Sequence, residues 1–124
     1  MKAMIFAALM ALNVSAVAGW ALVSNNIDGD QVYVNPRTIE STGQMRSAWF
    51  LTNKSRPLQG EASYRSLNEF DCGKGRVRML HSTFMSEKMG EGQVVRLVSA
   101  PSSWDYIAPD SLAEVEMGVI CDQR

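Results

Sequence analysis

Cys72 and Cys121 narrow the folds open to this 124-residue chain more than any other feature, because of what precedes them. Lys2 is followed by an apolar run from Ala3 to Leu12, by the polar Asn13 and Ser15, and by Ala16, Val17 and Ala18 ahead of Gly19. A cationic start, a short apolar run and a small-x-small end are the pattern of a cleaved export leader, here Met1 to Ala18. The apolar run would rise only about 15 Å as a helix, half of a bilayer core, so no permanent membrane span is expected. An oxidising compartment preserves disulfides and the cysteine count is even, so Cys72 and Cys121 are expected to pair. Closing so long a loop removes about 4 kcal/mol of unfolded-state freedom. No cysteine precedes Cys72, which leaves no residue for the lipid anchor of a bacterial lipoprotein. The expected destination is the periplasm or the medium, without lipid anchoring.

Residues 19–124 then form one domain with one modest core. With 46% hydrophobic and 20% charged residues the chain is a folded one rather than disordered or coiled-coil. Its formal charge is −1, and loss of Lys2 with the leader makes it more acidic. That balance, with no paired aromatic platform, argues against nucleic acid and anionic lipid as partners. Catalytic chemistry is poorly provided for. Cys72 and His81 show no orienting motif for a thiol nucleophile, and Glu69 with Asp71 lacks a third group. One histidine and two distant cysteines do not have metal-ligand spacing. The chain is read as a non-enzyme.

Between Trp20 and Val98, short β-branched and aromatic runs alternate with turn residues. Strands are expected over Trp20 to Val23, Gln31 to Val34, Met45 to Thr52, Ala62 to Asp71, Arg76 to Phe84 and Gln93 to Val98. A turn at Asn25, Asn26, Asp28 and Gly29 joins the first two, Asn35-Pro36 stops the second, and Asn53 to Gly60 reads as a polar loop. Imperfect alternation in the fourth run calls for a bulge near Ser66 to Asn68. Gly73 and Gly75 around Lys74 mark a tight hairpin. In the following run, Val77, Met79 and His81 are expected on one face. Ser111 followed by Glu114 is a capping-box spacing, and Leu112, Val115 and Val119 fall on one helical stripe with Ile120 beside them. The competing reading makes Val115 to Cys121 a strand, since Gly118 weakens a helix by about 1 kcal/mol. The resulting fold class is α+β: an antiparallel sheet of about six strands with a C-terminal helix packed on it and tied by one disulfide.

Candidate contact residues follow from this layout. Trp20 and Trp49 read as core or core-edge packing. Trp104 lies in a polar connection beside Tyr106, and exposed loop aromatics anchor protein partners. Lys74, Arg76 and Arg78 alternate, so they project together as a cationic strip, and the loop at Met89 offers a further contact. His81 with Met79 or Met85 is the sole set that suggests an axially ligated haem, the alternative small-ligand reading. A third reading is an assembly or structural factor of the cell envelope.

Several stretches in order resemble the surface-adhesin protein E family of secreted bacterial proteins. They are Trp20 with Val23, Tyr33-Val34-Asn35-Pro36 with Thr38-Ile39, Trp49 with Leu51, and Glu69-Phe70-Asp71-Cys72 followed by Arg76 and Arg78. The series continues with Met89-Gly90 and Gly92, Val94-Val95, Trp104, Pro109 with Ser111, and Cys121. The resemblance implies a six-stranded antiparallel sheet with a disulfide-held C-terminal helix, and adhesion to host extracellular-matrix or serum proteins. A cell-envelope protein is the other expected partner class. Asn35 replaces the aspartate usual before the proline, a small change because both residues initiate turns.

Overall fold

A strand that alternates apolar and polar residues buries one side and leaves the other to water; Gln31 to Val34 follows this pattern, whereas the strand through Phe50 to Asn53 is buried on both sides. The structure, a computed structural model, describes residues 16–17, 19–25 and 28–122. The expected leader lies outside the described residues except for Ala16 and Val17, as does Asn26 of the first turn. The strands are β1 (Ala16–Val17), β2 (Trp20–Asn25), β3 (Gln31–Val34), β4 (Glu40–Thr42) and β5 (Met45–Leu58). They continue with β6 (Glu61–Asp71), β7 (Arg76–Met85), β8 (Val94–Val98) and β9 (Asp105–Tyr106), and helix α1 spans Leu112–Cys121. Among the described residues all nine strands form one sheet of order β1-β2-β3-β5-β6-β7-β8, with β4 beside β5 and β9 beside β7. Every pairing is antiparallel. The six longer strands are those expected, and the three additions have only two or three residues each.

Two local readings are corrected. The polar stretch after Asn53 continues β5 as far as Leu58, and only Gln59 and Gly60 turn the chain, both with positive φ as a two-residue hairpin loop requires. Polar side chains there have partners, so polarity does not mark a loop: Ser55 N donates to Asp30 Oδ1 at 2.9 Å and its hydroxyl to the Asp28 carbonyl at 2.6 Å. The bulge lies where alternation fails in β6, but its extra residue is on β7. Leu67 pairs with His81 and Asn68 with Met79, which leaves Leu80 unmatched. Because one extra residue inverts alternation, Met79 and His81 project from opposite faces rather than from one.

The core lies between α1 and the sheet. Val32, Val34, Ala48, Phe50, Phe70 and Ile120 are buried together, with Ile39, Val77, Leu112 and Met117 packed around them. Ser111 caps the helix by accepting from Glu114 N, and Glu114 Oε1 accepts from Asp110 N, a variant of the expected capping box. The disulfide Cys72–Cys121 joins the end of the helix to the end of β6, with Cα atoms 5.8 Å apart. The expected stripe holds except at Val115: Leu112, Val119 and Ile120 pack on the core. Val115 is 46% exposed, whereas Glu116 is buried in the row Leu112, Glu116, Ile120. No helix among the described residues is long and apolar enough to cross a membrane.

Candidate protein-binding site

Alternation fixes which residues share the face away from α1. Phe70 points into the core, so its neighbours Glu69 and Asp71 project oppositely, together with their cross-strand partners Arg78 and Arg76. Arg76 Nε donates to Asp71 Oδ2 at 3.0 Å and Arg78 Nε to Glu69 Oε1 at 2.8 Å. Trp104 covers both cations: the guanidinium carbons of Arg76 and Arg78 stand 4.4 and 4.5 Å from its ring centre. Cation–π contacts of this kind contribute about 0.5–1 kcal/mol each at exposed sites.

The segment carrying Trp104 is pinned along the edge of β7. Ser102 N donates to the Met79 carbonyl at 2.8 Å, Met79 N donates back to Ser102 Oγ at 2.9 Å, and Ile107 N reaches the Gly75 carbonyl at 2.9 Å. β9 places Tyr106 opposite Arg76, two residues from Trp104 and so on the same face. Tyr106 is 75% exposed. Lys74 occupies the exposed turn, where its backbone N–H donates to Asp71 Oδ1 at 3.1 Å. Burial pushes the Asp71 carboxyl up, but hydrogen bonds from Arg76 and the Lys74 backbone, with both their charges, outweigh it and hold the group below the usual range.

Five of the six predicted contact residues, Lys74, Arg76, Arg78, Trp104 and Tyr106, therefore meet at one end of the β6–β7 hairpin. Met89 does not join them. Its backbone N–H donates to Asn53 Oδ1 at 2.7 Å, and the next N–H, of Gly90, donates to Ser63 Oγ at 2.9 Å, which fastens the loop to the sheet. Ser63 lies six residues from Glu69 along β6, about 20 Å away. The tryptophans expected in the core or at its edge are both half-buried. Trp49, between buried Ala48 and Phe50, points from the open face, where it and Trp20 line a hollow of about 380 Å³. His81 stands edge-on to Trp49 with ring centres 5.8 Å apart, and Met79 is on the other side of the sheet.

Among the described residues, an antiparallel sheet carries one α-helix tied across it by a disulfide, with an aromatic–cationic cluster on the other face. The chain belongs to the surface-adhesin protein E family, whose model matches residues 20–122. Among solved structures it is similar to crystal form II of Haemophilus influenzae protein E, with a TM-score of 0.71 at 16% identity over 86% of this chain and 89% of that one. The protein E structure from non-typeable Haemophilus influenzae gives 0.67 at 15% identity, covering 87% and 78%. No curated protein matches the sequence significantly. Family membership makes this an adhesin-like protein, and the family suggests a binding role.

Proposed function

We propose that this is an exported module that recognises a protein partner, a host matrix or serum protein or a component of the cell envelope, through the end of the β6–β7 hairpin. The observation that carries the reading is the convergence of Arg76, Arg78, Trp104 and Tyr106 on one face, with Lys74 in the adjoining exposed turn. Aromatic residues and arginine dominate the energetics of protein interfaces, and a half-buried tryptophan bracketed by guanidinium groups is already ordered before a partner arrives. Glu69 and Asp71 neutralise the two arginines, so recognition rests mainly on ring surface and hydrogen bonding, with the exposed Lys74 supplying the charge. The family suggests export, and the expected leader supplies the route.

The test is a binding measurement of the immobilised, disulfide-intact protein against purified matrix proteins, serum proteins and solubilised envelope proteins. Saturable binding to at least one class that weakens in Trp104→Ala more than its stability falls supports the reading. A lower melting temperature with unchanged affinity would remove Trp104 from the site.

A further inference from the structure

On the helix-bearing face, the sheet is not filled with apolar side chains throughout. Thr52, Tyr64, Ser66 and Asn68 extend the face of Phe50, and with Leu112 and Glu116 of α1 they line a cleft of about 550 Å³. That volume lies within the range of small-ligand sites. Glu116 enters it at 9% exposure, and among the described residues its carboxylate has no hydrogen-bond or ion-pair partner. Burying an unpaired carboxylate is costly, and here burial pushes the Glu116 carboxyl up to about 7. Two other charged residues line the cleft. Arg78 is occupied by Glu69 and Trp104, whereas Asp105 on β9 is a second carboxylate without an ion pair.

We propose that the cleft between α1 and the sheet is a binding site for an alkylammonium group, with the Glu116 carboxylate as its counter-ion. An anion would meet two carboxylates. A hard dication requires six or more oxygens at one point, and no group of three or more His, Cys, Asp or Glu among the described residues converges to hold a metal. An alkyl chain fits the walls of Phe50, Val77, Met79 and Leu112, and the Tyr64 and Phe50 rings suit a cation flanked by methylenes. The chemistry is shared by a free aliphatic amine and by a lysine side chain of a polypeptide. The inference does not rest on the hairpin-end site: Arg78 borders both, but its guanidinium is held by Glu69 and Trp104, and the other hairpin-end residues do not line the cleft.

The folded, disulfide-intact protein is titrated by calorimetry and NMR with cadaverine and, separately, with an N-acetylated peptide carrying one lysine, at about pH 8 so that Glu116 is ionised. Saturable binding of either probe is expected, with shifts at Tyr64, Ser66 and Glu116, and with at least about a tenfold loss of affinity in Glu116→Gln. Binding of cadaverine identifies a free amine as sufficient; binding of the peptide alone identifies a lysine-bearing partner. On the wild-type protein n-pentanol should bind at least about tenfold more weakly than the amine, a comparison that holds even if the variant folds poorly. Failure of both probes to saturate, equal binding by a folded Glu116→Gln protein, or equal binding of the alcohol would overturn the proposal.

Discussion

Glu116 sits furthest from the surroundings its chemistry prefers. Its folded-state pKa of about 7 exceeds the ordinary 4.5, so between those values the folded protein binds more protons than the unfolded chain. Its contribution is therefore most favourable below about pH 4.5 and is lost as pH rises through about 7, by about 3 kcal/mol at most. Denaturant unfolding at about pH 5 and pH 8 should show this decline in the wild type and its loss in Glu116→Gln. Asp71 and Glu61 act in the opposite sense. Hydrogen bonding to Arg96 holds Glu61 below its usual range against the opposing effect of burial, with the Arg96 and Lys54 charges adding to it, and Asp71 is depressed likewise. Their stabilisation is present above the ordinary carboxylate pKa and disappears in stronger acid. Tyr106 is the simplest residue with which to separate binding from folding. At 75% exposure, Tyr106→Ala should change stability by less than about 0.5 kcal/mol in thermal melts, yet lower partner affinity at least about tenfold.

At the scale of elements, the helix and its tether carry the predictions. Cys72→Ser or Cys121→Ser should cost about 4 kcal/mol in denaturant unfolding, with the helix freed from the sheet before the β5–β6–β7 meander opens. Gly118 faces open space within α1, so Gly118→Ala should raise stability by about 0.5–1 kcal/mol. The longer strands and the helix were legible because period and turn chemistry are local properties: Gln31 to Val34 alternates cleanly, and Ser111 with Glu114 announces a helix start. The stagger was less legible. Imperfect alternation in β6 reveals that a bulge exists, but Leu80, the residue left unmatched, belongs to the partner strand, and pairing is a long-range fact. The same limit explains α1. Leu112, Val119 and Ile120 of the expected stripe do pack on the core, but Val115 is exposed and Glu116 is buried in the row from Leu112 to Ile120. A glutamate within an i, i+4, i+8 apolar row was the available signal for the cleft.

For the whole molecule, the sheet separates two surfaces with different chemistry. One face holds the core, the α1 cleft and a buried carboxylate; the other presents the ordered cluster of Arg76, Arg78 and Trp104 with Tyr106 and Lys74 beside it. Alternation puts Arg76 and Arg78 on one face, and their association with Trp104 follows once β9 is paired to β7. Met89 fell outside because its loop is fastened to Asn53 and Ser63 at the far end of β6. The end of the β6–β7 hairpin is the surface proposed to bind a protein. The most direct test is surface-plasmon resonance with matrix, serum and envelope proteins, comparing the wild type with a Lys74→Ala, Tyr106→Ala double variant. The expected result is an unchanged melting temperature and at least about a tenfold loss of affinity for the bound partner. Wild-type affinity in the double variant, or no saturable binding by the wild-type protein to any of the three classes, would contradict it.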